Sequence, residues 1–463
     1  MEFMEGGLEN VSGYRFSAVE CGIKYRDRLD LALIAGDKPC HAAGVFTTNR
    51  VFAAPVRLCR ERTGFPVRGI LINATNANAC TGEEGYANAV ELTAETARLL
   101  GAPENSILMA STGVIGVQLP VEKMLKSLPS LVEGASAAKG GIVARAIMTT
   151  DTFAKECAVR FSAGEKSYTV AGAAKGSGMI APNMATTLAV VLTDAVVDKQ
   201  DLDNIIKNSV GHTFNAITVD GDMSTNDTLV ACSSGLVEAD PSEFRYAMDE
   251  VIAGLARMIV QDGEGATKFV TVKVDGAGSD RDAKVIAMAV ANSLLVKTAI
   301  FGADPNWGRI VSAVGYAGVK VDPREIAVRI QGLDVVEGGI DEAVELNLDH
   351  RAVPAQREPD GRAEDAGLGE REGEVHAAAF LVEGRHGAED AGEERPLAQF
   401  AAAAGHRLRH ADEPARLGLV FHRDGDRVLA RAAQAGVELV QDAGVLGSIL
   451  SRHDGRRRSY AVE

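Results

Sequence analysis

Aromatic residues and cysteine are scarce in this chain of 463 residues. One residue is tryptophan, and phenylalanine, tryptophan and tyrosine together make up 5%. The cysteines stand far apart, with no Cys-x-x-Cys pair, at Cys21, Cys40, Cys59, Cys80, Cys157 and Cys232. This spacing argues against a disulfide framework and against a zinc-binding module. It indicates small buried thiols in a reducing compartment.

Long apolar runs and excess positive charge are also missing. No apolar run reaches the roughly 18 residues that a membrane-spanning helix needs. The net charge of −16 argues against nucleic acid and anionic membranes as main partners. The first five residues, Met-Glu-Phe-Met-Glu, lack the basic and apolar regions of a signal peptide. We therefore expect a cytoplasmic protein.

The apolar residues that are present, 46% of the chain, alternate between strand-like and helix-like patterns. The length allows two or three domains, or one large α/β domain with additions. We predict helices over residues 87–100, 121–131, 137–147, 202–209, 241–259, 281–299 and 307–314. We predict strands over residues 29–34, 43–47, 69–72, 106–111, 157–161, 168–171, 188–192, 228–232, 269–274 and 326–330. The sequence therefore predicts a layered α/β fold.

The irregular segment 175–187 is the strongest candidate for the chemistry. It reads Lys-Gly-Ser-Gly-Met-Ile-Ala-Pro-Asn-Met-Ala-Thr-Thr and leads into the apolar run 188–192. Threonine is a poor nucleophile without an adjacent base, and its own free amino group is one known solution. Thr186 would gain that amino group if the chain cut itself after Ala185. The alternative interpretation is a surface loop that leads into a core strand.

Other polar segments lie at the ends of predicted strands. Residues 73–82 form an asparagine-rich turn, which is typical both of ligand sites in α/β sheets and of ordinary turns. Thr112 and Gly113 offer a hydroxyl and an amide that could stabilise an oxyanion, or they form only a turn. Glu264 is a glycine-flanked carboxylate, for which a surface turn is the alternative. Three aspartates lie close together in the sequence, at Asp220, Asp222 and Asp227. They do not form a calcium-binding EF-hand loop, because that loop needs a glycine at its sixth position and a glutamate at its twelfth. We therefore prefer turn and hydrogen-bonding roles for them.

Taken together, these segments resemble the ornithine acetyltransferase family. The resemblance extends over about residues 14–348 and is carried by eight blocks in the family's order. The blocks are residues 42–49, 76–82, 110–116, 148–152, 175–186, 220–227, 261–268 and 301–309. One position departs from the pattern, since Thr75 stands where the family usually has glycine.

The resemblance implies specific roles for the candidate residues. Thr186 would be the nucleophile, and the peptide bond between Ala185 and Thr186 would be the scissile bond. Thr112 and Gly113 would form the oxyanion hole. The substrate would be contacted by Thr149, Lys175, Thr186 and Glu264. Thr152 is the alternative to Thr149, because the motif offers three threonines.

The resemblance also implies the fold, the reaction and the partners. The fold would be the ornithine acetyltransferase-like α/β fold, related to that of self-cleaving N-terminal-nucleophile aminopeptidases. Residues 1–185 would become one chain and residues 186–349 the core of a second chain that also carries the tail 350–463, and two such cleaved pairs would assemble as a heterotetramer. The enzyme would move an acetyl group from N-acetylornithine to glutamate in arginine biosynthesis, without a metal or a bound cofactor. Some members also use acetyl-CoA, which is therefore a candidate co-substrate.

The composition changes after Asp349. Residues 351–463 contain sixteen arginines but no lysine, threonine, asparagine, methionine or cysteine. Only residues 396–408 and 428–440 have helical periodicity, and the family's short closing segment with its asparagine and hydroxyl residue is not recognisable. We hypothesise that this tail is read in a shifted frame, and an appended domain is the alternative. A missing closing segment would leave the substrate pocket incomplete.

Two functions compete with acetyl transfer. The first is an N-terminal-threonine amidase or aminopeptidase, because the family's architecture is similar to that of self-cleaving peptidases. The second is an inert product that does not cut itself.

Overall fold

Residues 1–163, 166–181, 187–336, 379–386 and 416–422 are described by the computed structural model. The strands in the first half are β1 (Glu2–Phe3), β2 (Tyr14–Val19), β3 (Leu31–Phe46), β4 (Val67–Asn73), β5 (Ile107–Ser111), β6 (Lys155–Ala163) and β7 (Lys166–Lys175). The later strands are β8 (Leu188–Val196), β9 (Ile217–Thr218), β10 (Thr228–Glu238), β11 (Phe269–Ala277), β12 (Ala327–Ile330), β13 (Leu333–Val336), β14 (Ala379–His386) and β15 (Arg416–His422). The α-helices are α1 (Ala54–Arg62), α2 (Gly82–Leu100), α3 (Val121–Glu133), α4 (Gly140–Ala146), α5 (Lys199–His212), α6 (Pro241–Gln261), α7 (Asp280–Asn292), α8 (Leu294–Phe301) and α9 (Trp307–Gly315).

Local sequence signals explain where several helices begin and end. The Asp240 side chain caps α6 by accepting hydrogen bonds from the amides of Ser242 and Glu243, and Pro241 occupies the first turn. Helix α2 ends at Gly101, which is left-handed at φ 61°, as the sequence predicts. Glycine adopts this conformation without a Cβ clash.

The described chain divides into two compact units. The first contains residues 1–269 and 379–381, and the second contains residues 270–336, 382–386 and 416–422, with the gaps given above. In the first unit, nine strands form one sheet in the order β1-β6-β7-β8-β10-β3-β4-β5, with β2 paired to β3. In the second unit, β12 pairs antiparallel with β13 and parallel with β15. The predicted cleavage after Ala185 would fall inside the first unit.

The first unit is built in four layers. The sixteen-residue strand β3 joins two halves of the sheet: its first part pairs with β2 and β4, and its last part pairs with β10. Between the two halves lies an apolar layer that includes Phe16, Ile34, Ile72, Val190 and Leu192. The outer faces of the sheet are covered by helices. Helices α5 and α6 pack on β6, β7, β8 and β10, and helices α1, α2 and α3 pack on β3, β4 and β5.

The predicted α/β class is confirmed, and two local predictions are wrong. The sequence predicts residues 29–34 and 43–47 as two strands, and the residues between them include Gly36, Asp37 and Pro39, which favour a turn. They belong to the single strand β3, in which the pairing with β4 shifts between Ala35 and Cys40. The bulge absorbs the turn-forming residues without ending the strand.

The second error concerns the helix expected over residues 281–299. It is broken at Ser293, which is extended and whose side chain caps α8 by accepting from the Val296 amide. In the part of the chain that the structure describes, no single helix has the length and apolar composition of a membrane span. Helices α7 and α8 meet that test only as a pair bent by 60°.

Candidate active site

The candidate oxyanion residues follow strand β5, next to the asparagine-rich turn that follows β4. These strands are parallel, so their carboxyl ends lie at one edge of the sheet. The Thr112 amide donates to the Asn73 carbonyl at 3.0 Å, and the Val114 amide donates to the Thr75 carbonyl at 3.3 Å. Thr112 is 7% exposed, whereas Gly113 is exposed. The asparagine turn therefore holds the backbone on both sides of Gly113.

Asn226 is a site residue that the sequence interpretation missed. Its buried side-chain amide donates to the Ala77 carbonyl at 2.6 Å and to the Ser111 carbonyl at 2.7 Å. The Asn226 side chain therefore connects the segment before β10 to two others, the asparagine turn at Ala77 and the end of β5 at Ser111. In the sequence, the sign that Asn226 matters is its position within the block 220–227, which carries part of the family resemblance.

Lys175 extends from the end of β7 to the same place. Its side chain is buried, with 4% of the residue exposed, and its Nζ donates to the Thr112 hydroxyl oxygen at 3.3 Å. Burial lowers the pKa of Lys175, whereas the negative charge of Asp151 opposes that change. Because the Thr112 oxygen accepts from Lys175, its own hydroxyl hydrogen can donate elsewhere.

Thr149 and Thr152 lie in a loop organised by carboxylates. The Thr149 amide donates to Asp151 at 2.9 Å, and its hydroxyl lies 3.5 Å from the same carboxylate oxygen. Thr152 is held by Asp262, which accepts hydrogen bonds from both its amide and its hydroxyl. The Thr152 hydroxyl is thus engaged more closely than that of Thr149, which agrees with preferring Thr149 as the substrate contact.

Glu264 is exposed and follows helix α6. Its amide donates to the Ser177 carbonyl at 2.8 Å, so it lies beside the segment that follows Lys175. A β-carbon on Gly178 would be 2.1 Å from the Glu264 carboxylate oxygen Oε2. Glycine at position 178 therefore leaves the space that this side chain occupies.

Ala185 and Thr186, the predicted scissile pair, lie outside the described residues. The next residue is described: the Thr187 amide donates to Asp227 Oδ1 at 2.9 Å. Asp220 accepts from the Ile180 amide at 2.9 Å. The expected hydrogen-bonding roles of Asp220 and Asp227 are thereby confirmed. Among the described residues, no group of three or more His, Cys, Asp or Glu side chains could hold a metal ion.

Asp227 is unusual because it is fully buried. Burial raises the pKa of Asp227 well above its ordinary value, while the Thr187 amide and the charge of Lys175 oppose the change. The Asp227 carboxyl group therefore holds the backbone at Thr187, the residue directly after the predicted nucleophile.

Comparison with known proteins agrees with the resemblance seen in the sequence. The model of the ArgJ family matches residues 15–360. The arginine biosynthesis bifunctional protein ArgJ of Geobacter sulfurreducens is 53% identical over 340 residues, which are 72% of this chain and 86% of that protein. The protein of the same name from Caldanaerobacter subterraneus is 47% identical over 340 residues, 72% of this chain and 84% of the relative.

A solved structure is also similar in sequence. It is the crystal structure of ornithine acetyltransferase from Mycobacterium tuberculosis complexed with ornithine, with 35% identity and a TM-score of 0.37. The match covers 39% of this chain and 96% of that one.

Proposed function

This chain belongs to the ArgJ family of arginine-biosynthesis acyltransferases, and on that premise we propose that Thr186 carries an acetyl group from N-acetylornithine to glutamate. The observation that carries the proposal is the convergence of Lys175 on Thr112, at 3.3 Å, beside the turn that contains Gly113. A hydroxyl and a glycine amide can donate to the oxyanion that forms in acyl transfer, and a buried cation beside them can bind the carboxylate of an amino-acid substrate.

The proposed reaction begins with self-cleavage between Ala185 and Thr186. The freed α-amino group has an ordinary pKa of about 7.7–8.0, so part of it is neutral at cytoplasmic pH. It accepts the proton of the Thr186 hydroxyl as the oxygen attacks the acetyl carbonyl. The Thr112 hydroxyl and the Gly113 amide donate to the oxyanion that forms, and each such donor is worth about 2.7–4 kcal/mol in other enzymes.

The acetyl group then passes to the second substrate. Ornithine leaves with the proton, and the acetyl group remains on the Thr186 oxygen. The amine of glutamate attacks this ester, and the threonine hydroxyl is restored. This is a ping-pong sequence in one pocket. We assign Lys175 to the substrate carboxylate, Thr149 to a polar contact and Glu264 to the cationic side chain of ornithine.

The proposal also covers the location of the enzyme, its assembly and its co-substrates. We propose that it works in the cytoplasm as a heterotetramer of two cleaved pairs. We also propose that no metal or bound cofactor takes part, and that acetyl-CoA is a candidate second donor. Size-exclusion chromatography with light scattering measures the assembly, and acetyl-CoA with glutamate tests the second donor.

The direct test compares the protein with its Thr186→Ala variant. The unmodified chain should give two bands on a denaturing gel at about 19 and about 29 kDa, the shares of its 48.6 kDa before and after the cut. It should also form acetylglutamate from N-acetylornithine and glutamate. Thr186→Ala should remain one band and transfer nothing, whereas the control Ser130→Ala, at an exposed position of α3, should behave as the parent.

Alternative results would support other functions. Turnover of peptide amides without acetyl transfer would favour the amidase. One intact band without turnover would indicate the inert product. Acetyl transfer that survives Thr186→Ala would refute the proposed nucleophile.

A further inference from the structure

Lys155 is the most deeply buried cation beside the site, and the proposed reaction does not use it. It is the first residue of β6 and has no exposed surface. Its Nζ lies 2.7 Å from Asp151 Oδ1 and 2.6 Å from Asp262 Oδ2, and the two carboxylates are 0% and 3% exposed. Burying three charges is unfavourable unless their geometry and remaining hydrogen bonds are well satisfied. The partners of the carboxylates therefore indicate what the triplet does.

Both carboxylates bind loop backbone as well as Lys155. Asp151 accepts from the Thr149 amide at 2.9 Å and from the Gly176 amide at 2.7 Å. Asp262 accepts from the Thr152 amide at 2.9 Å. Lys155 thus links the loop that contains Thr149 to the residue that follows Lys175.

A third segment joins the same network through Ser177. The Ser177 hydroxyl donates to the Asp262 carbonyl at 2.8 Å, and the Ser177 carbonyl accepts from the Glu264 amide at 2.8 Å. The backbones beside Thr149, Lys175 and Glu264 are therefore fixed around one buried ion triplet. These are the three residues that we assign to substrate binding, apart from the nucleophile.

Thr112 and Gly113 are held differently. Their backbone is fixed by the asparagine turn and by Asn226. Within the described residues, Thr112 is linked to the triplet through its contact with Lys175, whose neighbour Gly176 donates to Asp151. Loss of Lys155 should therefore disturb substrate binding more than oxyanion stabilisation.

We propose that Lys155 is a positioning residue, which sets the relative placement of Thr149, Lys175 and Glu264 through Asp151 and Asp262 without touching substrate. This inference rests on the proposed function. Charge supports it as well as geometry. The described groups that act electrostatically on Lys175 include Asp151, Lys155, Asp227 and Glu264. Asp151 is shared between the two lysines, so it also supports the charge of Lys175 in its buried position.

The first test is Lys155→Met, with Lys199→Met as a matched control. Lys199 also pairs with an aspartate four residues away, Asp203, but is 40% exposed on α5. Lys155→Met should raise the KM for N-acetylornithine and for glutamate about tenfold or more, with kcat at saturation within about threefold. It should still cut itself. The control should leave KM, kcat and self-cleavage as in the parent.

The second test measures the pH dependence of kcat/KM, which would not change if these residues only stabilised the fold. Asp151→Asn removes the carboxylate that opposes the burial-induced lowering of the Lys175 pKa. If the charge of Lys175 sets the alkaline limit of kcat/KM, that limit moves to lower pH in this variant, and an unchanged limit would overturn the electrostatic part of the inference. It should stay in place in Lys199→Met.

The outcomes separate this inference from the proposed function. Failure of the parent to transfer acetyl would refute the function. With an active parent, an unchanged KM in Lys155→Met, or a loss in kcat alone, would overturn the positioning role. If Lys155→Met does not fold, Asp262→Asn carries the same KM test, because it removes one ion pair and keeps an acceptor for Thr152. An unchanged KM in that variant would also overturn the role.

Discussion

Gly113 and Thr75 lie in backbone contact. A β-carbon on Gly113 would be 2.1 Å from the Thr75 carbonyl carbon, and Gly113 has φ +136°. Contact and dihedral angle both require glycine at position 113. Thr75 is itself left-handed at φ 72°. A β-branched residue rarely adopts this conformation, which explains why glycine suits position 75 in the family pattern.

We predict that Thr75→Gly stabilises the protein. Among the described residues, the buried Thr75 hydroxyl has no hydrogen-bond partner, so the change removes an unsatisfied group and backbone strain together. The greater freedom of unfolded glycine offsets part of the gain, which leaves about 1 kcal/mol. Denaturant unfolding should rank Thr75→Gly above Thr75→Ala, which loses the hydroxyl but keeps the strain. An equal effect of the two variants would show that φ is not the cause.

Asp227 should matter for self-cleavage through its hydrogen bond to the Thr187 amide. Asp227→Ala removes the acceptor of the Thr187 amide, one residue after the proposed scissile bond, and should slow cleavage about tenfold or more, because small misplacements of reacting groups are costly. Asp227→Asn keeps an acceptor and should stay within about threefold. The rates can be followed on denaturing gels, with the exposed Asp275→Asn as control. Equal slowing in Ala and Asn variants would mean that the charge, not the acceptor, is required.

Glu156 should make stability depend on pH. Burial, and then the nearby Glu9, raises the pKa of Glu156 from 4.5 to about 7. A raised folded pKa gives stability that is fully present below the unfolded value of 4.5 and is lost as pH rises through about 7. Because the group is partly exposed, Glu156→Gln should gain only about 1–2 kcal/mol at pH 8 relative to pH 5.

Thermal and denaturant unfolding at the two pH values measure this gain. The control is Glu83→Gln, since Glu83 pairs with Arg57 but its side chain is 85% exposed. It should show almost no difference between the two pH values. The same gain for Glu156→Gln at pH 5 and pH 8 would disprove titration of Glu156 as the cause.

Glu264 should distinguish the two half-reactions. If it binds the cationic side chain of ornithine, Glu264→Gln should raise the KM for N-acetylornithine about tenfold, since a charged hydrogen bond is worth about 1.5–3 kcal/mol. The KM for glutamate should change less than threefold. Gly178→Ala should act in the same direction, because its β-carbon would displace the Glu264 carboxylate. Gly211→Ala, which has open space for a β-carbon, is the control, and equal changes for both substrates would contradict the assignment.

The sequence predicts structure best where local chemistry decides it. Gly101 ends α2 and Pro241 begins α6 because glycine and proline restrict the backbone directly. Strand β3 was divided in the prediction because the turn-forming residues Gly36, Asp37 and Pro39 outweighed the sheet pairing, which only the folded chain supplies. Tertiary context overrides local propensity there.

For the site, the motifs indicate which residues matter but not how they meet. Lys175 and Thr112 are 63 positions apart, and their contact depends on where two strands end in one folded sheet. Lys155 and Asp262 were missed for the same reason, since 107 positions separate them. A lone lysine at the start of a strand carries no local sign that it is buried among carboxylates.

The order of strands in the first unit has a consequence for the two products of the proposed cut. Strands β8 and β10, which follow Thr186, stand between β7 on one side and β3 on the other, both of which precede it. Each boundary is a ladder of backbone hydrogen bonds. Strands of one polypeptide would therefore lie between strands of the other, and the two could separate only if the backbone hydrogen bonds of both ladders were broken. Cleavage would create a new amino terminus while the two polypeptides remained associated in one folded sheet.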